Sequence, residues 1–245
     1  MTPPIVGLDS FVNAVDDLCA NSSLYQHREF PILAMDLLPG WGQTTALQYL
    51  SGHLSRHMEP AYPWSQTKEY RLTGTQEHLI HCFLDLHSSS ATFNFFHGCV
   101  AWDLSSLTGS PTFSQAAQDF PAELKHLGRS ACNLLFLPGE NTPLTRHLEK
   151  TLPQLQFIHA APYTPRQLAQ IGLLQLQQDG VQIPQAGQME ELLVQQVRSA
   201  GAASPRDVCR LTRTLLFAAR RSESGLVLSA DALAVFPGPA ANKGA

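Results

Sequence analysis

Residues 31–45 read Pro31-Ile-Leu-Ala-Met-Asp-Leu-Leu-Pro-Gly-Trp-Gly-Gln-Thr-Thr45. The run from Pro31 to Leu38 is apolar save for one aspartate and is long enough for a buried strand. Pro39-Gly-Trp-Gly42 then forces a turn. From Gln43 to His53 the pattern changes to helical spacing, with Leu47, Leu50 and Leu54 on one side. A buried strand, a glycine turn and a helix therefore follow one another.

The same alternation extends outward. Upstream, Phe11, Val15, Leu18 and Cys19 recur at helical spacing, with Ser10 placed to cap that helix. Downstream, Tyr70–Thr73 reads as a short strand, and Gly98–Asp103 as a short buried strand ending in an acid. Asn133–Leu137 is the next buried strand, ended by Pro138-Gly139, and Phe157-Ile158 is the last. Glu59–Thr67, Ser88–Asn94 and residues 107–118 read as loops. Strands alternating with helices predict an α/β parallel sheet.

After residue 160 the strand signals vanish. Thr164-Pro-Arg-Gln167 and Ser204-Pro-Arg-Asp207 share one form: a capping hydroxyl, proline at the first helical position, and an acceptor three residues after the cap. The helices they open are expected to run to about Gln177 and Arg221, with a third near Met189–Arg198 and a short one in Leu228–Leu233. Pro237–Ala245 reads as a disordered tail. The expected organisation is an α/β domain over residues 1–160, an all-helical lid over 161–236 and a tail over 237–245.

Composition narrows the function classes. The chain has 245 residues, 44% hydrophobic and 15% charged, with Lys+Arg 16 against Asp+Glu 20 and a net charge of −4. That is ample apolar material for a packed core. The charge disfavours a strongly basic nucleic-acid binder as a whole-chain reading. No apolar run approaches the ~20 residues of a membrane span, and the first residues lack the pattern of a signal peptide. A cytoplasmic protein with no membrane partner is the expectation. Five scattered cysteines with no C-x-x-C pair read as small buried hydrophobes. His78, His81, Cys82, Asp85 and His87 have spacings a metal site could use. They fit better as part of an amphipathic helix over Gln76–Leu86, with Leu79, Cys82, Phe83 and Leu86 facing the core.

Leu37–Thr45 compares with the phosphate-binding P-loop, G-x-x-x-x-G-K-[ST]. Gly40, Gly42 and Thr44 match; Leu37 stands in place of the first glycine and Gln43 in place of the lysine. A plain helix-capping glycine turn explains the two glycines equally well. Sixty residues after Gln43, at a strand end, comes Asp103, where a Walker B acid belongs.

The segment Gly98-Cys-Val-Ala-Trp-Asp-Leu-Ser-Ser-Leu107 resembles the G-V-L-F-I-D-E-A-Y-S-L segment of the AAA+ proteins related to CbbX, a rubisco activase, and to stage V sporulation protein K. Ile5-Val-Gly-Leu-Asp9 resembles their I-x-G-L-x-x-V-K opening, and Asn133–Gly139 their V-V-I-L-A-G strand. Ala161-Pro-Tyr-Thr-Pro-Arg-Gln-Leu168, Ser204-Pro-Arg-Asp-Val-Cys-Arg-Leu211 and Leu228–Leu233 resemble F-P-D-Y-T-P-E-E-L, N-A-R-x-V-R-N-L and L-x-x-x-D-L. The resemblance spans most of residues 5–236. It implies an AAA+ P-loop three-layer sandwich around a parallel sheet, followed by a small helical lid. It also implies ATP or ADP with Mg held by Gly40, Gly42, Gln43, Thr44 and Thr45, the metal by Thr44 and Asp103, and a γ-phosphate contact from Arg206.

The departures from that family fall on its chemistry. Gln43 offers a neutral dipole where the lysine brings a charge, and charge-assisted hydrogen bonds are worth ~1.5–3 kcal/mol against ~1 for neutral ones. Leu104 stands where the family's catalytic glutamate follows the aspartate, and Thr151-Leu-Pro-Gln-Leu155 has no finger arginine; Arg146 is offset from it. The expectation is a structural or regulatory pseudo-ATPase, chaperone-like, acting with copies of itself or with an active AAA+ relative. Two alternatives stand beside it. One is an active remodelling ATPase with an atypical site, which would need a substitute lysine from elsewhere; Lys68 and Lys125 are the only lysines between the turn and residue 149, and neither lies in a motif. The other is a clamp-loader-like or initiator-like DNA replication factor, for which Arg206, Arg210, Arg213, Arg220 and Arg221 are the one basic stretch.

Overall fold

The computed structural model describes residues 5–21, 30–57, 66–72, 76–88, 98–107, 120–125, 127, 131–222 and 225–235. The loops expected over Glu59–Thr67, Ser88–Asn94 and 107–118, and the tail Pro237–Ala245, lie wholly or largely outside them. The chain divides into two compact units, Met1–Ala160 and Ala161–Ala245. Among the described residues no helix is long and apolar enough to cross a membrane.

The first unit contains α1 (Asp9–Ala20), β1 (Ile32–Met35), α2 (Gln43–His57), β2 (Thr67–Arg71), α3 (Gln76–Ser88), β3 (Gly98–Asp103), β4 (Ala131–Phe136), α4 (Pro143–Thr151) and β5 (Leu155–Ile158). Residues 120–125 are also helical. The five strands form one sheet in the order β2-β3-β4-β1-β5, and every pairing is parallel. β1 and β4 are buried along their whole length, as parallel strands covered on both faces must be. β2, at the edge, alternates exposed and half-buried residues.

The two faces of the sheet bury different side chains. Ile32 and Ala34 of β1 join Val100 and Trp102 of β3 in one large cluster with the helical residues Phe120 and Leu124. Leu33 and Met35 point the other way and are also wholly buried, because successive strand side chains alternate. Trp102 is the centre of the first cluster. Its ring stacks on Tyr70 at 5.1 Å and meets Phe120 edge-on at 5.4 Å. Its indole N–H donates to Asn133 Oδ1 at 3.0 Å, so a buried polar atom on each strand satisfies the other.

The register lines up the strand ends. Arg71, Asp103, Phe136, Met35 and Ile158 are paired in one row across the sheet. The pairing continues one step further, with Leu104 N donating to Phe136 O and Leu137 N to Met35 O. β1 sits between β4 and β5, with the chain leaving it toward the far edge and returning on its other side. Open α/β sheets bind ligands outside the carboxyl ends of strands at such a switch point.

The second unit contains α5 (Pro165–Gln178), β6 (Val181–Gln182), α6 (Ala186–Ser199), α7 (Pro205–Leu215), a 3-10 turn (Leu216–Ala218), β7 (Arg220–Ser222), β8 (Gly225–Val227) and α8 (Ala230–Val235). Both expected capping boxes form. Thr164 caps α5 reciprocally with Gln167, and Ser204 caps α7 with Asp207. Glycine brings α5 and α7 close: a Cβ on Gly172 would lie 2.9 Å from Val208 Cγ1 and 3.2 Å from Thr212 Cγ2.

Three expectations need correction. The second unit is not all-helical, since β6, β8 and β7 form a small three-stranded sheet. Strands of two and three residues are too short to show a period. The helix expected to reach Arg221 stops at Leu215 and gives way to the 3-10 turn and β7. Ser10 does not cap α1; the helix starts at Asp9, with Leu8 at the cap position and no side-chain cap bond.

Candidate functional site at the P-loop-like turn

The turn after β1 is shaped by its glycines. Gly40 and Gly42 have φ of 90° and 99°, a region that L side chains rarely adopt. Trp41 N donates to Leu38 O at 3.0 Å, and Ala46 N to Gly42 O at 2.9 Å starts α2. The first turn of α2 thus opens at the carboxyl edge of the sheet, where a helix N-terminus favours anions.

Gln43, the first residue of α2, turns its amide inward. Its Nε2 donates to Leu37 O at 2.9 Å and to Asp103 Oδ1 at 3.4 Å. Asp103 ends β3 with its side chain 15% exposed, and Arg71 Nε of the neighbouring strand lies 3.9 Å from its Oδ2. Ser105 holds Oδ1 from the other side, through its backbone N–H at 3.0 Å and its hydroxyl. Thr44 is exposed, and its hydroxyl donates to Glu69 Oε2 of β2 at 3.1 Å. Thr45 lies half-buried beside it.

The structure therefore brings Gln43, Thr44 and Asp103 together, and adds Glu69, Arg71 and Ser105. Ser105 was legible as a hydroxyl two residues after a strand-end aspartate, a common turn pattern. Glu69 and Arg71 share one side of the edge strand, but the strand was expected to begin at Tyr70, which hid their alternation. Leu104 is wholly buried in the core cluster and does not face the turn. Arg206 lies in the second unit, exposed in the first turn of α7. Among the described residues it makes no ion pair. Asp207, its neighbour, is taken by the Ser204 cap and faces Arg210 Nη1 at 4.0 Å.

Other expected groups are engaged elsewhere. Lys68 Nζ donates to Asp85 Oδ2 at 3.0 Å, and the Tyr70 hydroxyl binds the same carboxylate. These two donors hold the Asp85 carboxyl below its ordinary range. Lys125 is exposed on the helical segment 120–125. His78 bonds Arg71 O at 2.9 Å and approaches Cys82 Sγ at 3.7 Å. Among the described residues no group of three His, Cys, Asp or Glu could hold a metal. All five cysteines are free, and burial pushes the Cys132 thiol up to about 12. The segment Thr151–Leu155 ends α4 and enters β5, with Leu152 buried; Arg146 is exposed on α4. Further along the same sheet edge, His159 bridges Asp36 at 3.7 Å and Glu140 at 3.4 Å.

The backbone of Gly40–Thr44 fits a phosphate cradle, but the side chains do not fit a Mg-bound triphosphate. The oxygens that would face the metal are already bonded, Thr44 to Glu69 and Asp103 to Gln43 and Ser105. No cationic side chain stands in the loop itself, and the amide in the lysine position points to the sheet.

No protein-family model matches the chain, and no curated protein matches it in sequence. Solved structures do match. RuvB of Thermotoga maritima, a Holliday junction branch migration motor, superposes with a TM-score of 0.61 at 13% identity, covering 94% of this chain and 68% of RuvB. PCH-2 of C. elegans gives 0.60 at 15% identity, over 95% of this chain and 70% of that one. Domain III of the Thermotoga maritima replication initiation protein DnaA gives 0.55 at 14% identity, over 89% and 85%.

The chain has the AAA+ fold. The five-stranded parallel sheet with its helices is what this chain shares with these neighbours. At 12–15% identity the likeness carries fold and nothing finer.

Proposed function

We propose that this AAA+-fold chain is a pseudo-ATPase, a structural or regulatory subunit that acts with a second copy of itself or with a catalytically active AAA+ relative. The observation that carries the proposal is the Gln43–Asp103 hydrogen bond. It joins the lysine position of the loop to the acid of β3, with no charged group added between them. Nucleotide with Mg is the ligand class of AAA+ proteins in general, and hydrolysis there draws on a loop cation, a water-orienting acid and a finger arginine worth ~10³–10⁵ in rate. Here the first is a neutral amide, the second is the buried Leu104, and the third is missing from Thr151–Leu155.

Calorimetric titration with Mg-ATP and Mg-ADP tests this. Wild type should bind weakly or not at all, and Gln43→Lys should bind more tightly, because an ammonium replaces the inward amide. Tight binding by wild type, unchanged in Gln43→Lys, would show that the loop needs no cation and would remove the basis of the proposal.

A second reading, a DNA factor, is favoured by one observation. The exposed side of α7 carries Arg206, Arg210 and Arg213. Two of the neighbouring structures, a branch migration motor and a replication initiation protein, are named for work on DNA.

A further inference from the structure

Phe217 is 89% exposed, the most exposed large apolar side chain among the described residues. It follows a helix with two sharply different sides. Val208, Leu211, Thr212 and Leu215 of α7 are buried. Arg206, Arg210 and Arg213 are exposed, and at spacings of four and three they lie on one narrow stripe. Phe217 comes four residues after Arg213, in the 3-10 turn that directly follows α7. From Arg206 to Phe217 the chain rises about 17 Å, at ~1.5 Å per residue in the helix and ~2 Å in the turn. Exposed Arg221 follows on β7, paired in register with Leu226, itself 37% exposed. Half of the chain's basic residues, but fewer than a third of its acids, fall in residues 161–245. Among the described residues the one acid paired with the stripe is Asp207, 4.0 Å from Arg210, and Arg206, Arg213 and Arg221 make no ion pair.

We infer that this face binds single-stranded nucleic acid, with Arg206, Arg213 and Arg221 on phosphates and Phe217 stacked on a base. A guanidinium presents a planar fork that matches phosphate oxygens. A strand carries one phosphate per ~3.4 Å in a duplex geometry, so about four or five fall within that length, enough for Arg206 and Arg213 to meet separate ones. A nearly naked phenyl ring beside a row of cations is the arrangement by which single strands are held without sequence preference. An acidic peptide would satisfy the arginines but leave the ring without a flat partner. A duplex would hide the base faces that the ring needs. The surface sharpens the DNA reading, on which it rests, and is independent of what the P-loop-like turn binds.

The test uses the full chain without ATP, and anisotropy of a short labelled oligothymidylate titrated at several salt concentrations. Binding is expected with a log–log salt slope of about −2 to −3, as three or four phosphates give on a single strand. Phe217→Ala should weaken it about fivefold or more, the loss of one stacked base. Arg213→Glu should weaken it and flatten the slope by about 0.7 or more. Both positions are exposed, and circular dichroism checks that the variants keep the fold. If neither the single strand nor the matching duplex binds, the proposed surface and the DNA reading fail together. If the duplex binds as well as the strand and Phe217→Ala changes neither, the DNA reading survives and the single-strand surface is overturned. Displacement of the strand by polyglutamate with unchanged strength in Phe217→Ala would assign the face to an acidic protein and also overturn it.

Discussion

Gln43 and Asp103, sixty residues apart in sequence, are joined by a side-chain hydrogen bond of 3.4 Å. The first opens the helix after the glycine turn, and the second closes β3. A lysine there would keep its charge for a ligand; an amide can be satisfied inside the protein. Gln43 does so twice, since the same nitrogen donates to Leu37 O at 2.9 Å. The glutamine thus ties the turn to the sheet edge.

That tie has a measurable consequence for stability. Gln43→Ala removes both bonds and should lower the unfolding free energy by about 1–2 kcal/mol, at 0.5–1.5 per hydrogen bond. Urea denaturation followed by circular dichroism reads the change. No change would mean that water replaces the amide without loss and that the turn holds itself.

The Trp102–Asn133 bond should be more costly to break, because both residues are wholly buried. Asn133→Leu leaves the indole N–H without its partner and should cost about 1–3 kcal/mol beyond any packing change. Combining it with Trp102→Phe should cost less than the two single changes added, with a coupling of about 0.5–3 kcal/mol. Strict additivity in a double-mutant cycle would contradict the pairing.

The capping box of α7 predicts an acid limb in stability. The Ser204 hydroxyl, then the backbone N–H groups of Ala203 and Ser204, hold the Asp207 carboxyl below its ordinary 3.8. A depressed carboxyl contributes stability above its unfolded pKa and loses it as pH falls through the folded value. Asp207→Asn should therefore be less stable than wild type at neutral pH, and the gap should close below about pH 4. Ser204→Ala should cost about 1 kcal/mol near neutrality, the usual worth of a cap. A gap that stays constant down to pH 2 would separate the cap from the ionised form of Asp207.

How much of this was legible in the sequence differs between the two units. β1, β3 and β4 were visible because parallel strands buried on both faces read as continuous apolar runs, and Gly40 and Gly42 marked the turn between β1 and α2. Thr164 and Ser204 were visible as caps because a cap is a local pattern of four residues. β6, β7 and β8 were invisible because two or three residues show no period, and pairing between distant segments leaves no local trace. In the site, Gln43 and Asp103 could be placed by their spacing. The partnership of Thr44 with Glu69 and of Asp103 with Arg71 could not, because both depend on β2 lying at register beside β3. Leu104 read as a failed catalytic position, and its structural role, filling the core, follows from which face of the sheet it meets.

Packing in the second unit gives a prediction that runs against helix propensity. Gly172 lies inside α5, where alanine is normally favoured by up to ~1 kcal/mol. A Cβ there would meet Val208 Cγ1 at 2.9 Å. Val208 is β-branched and stiff in its helix, so the contact cannot relax cheaply. Gly172→Ala should destabilise the protein by about 1–3 kcal/mol, the range for an overpacked core. A rise in melting temperature would show that α5 and α7 can move apart freely.

The central claim is that the Gln43–Asp103 turn does not hydrolyse nucleotide. Steady-state release of phosphate from saturating Mg-ATP, measured for wild type and for Asp103→Ala side by side, tests it most directly. Wild type should show no turnover above that of Asp103→Ala. Turnover near one per second, within the ordinary enzyme range, that disappears in Asp103→Ala would show a working site and contradict the account.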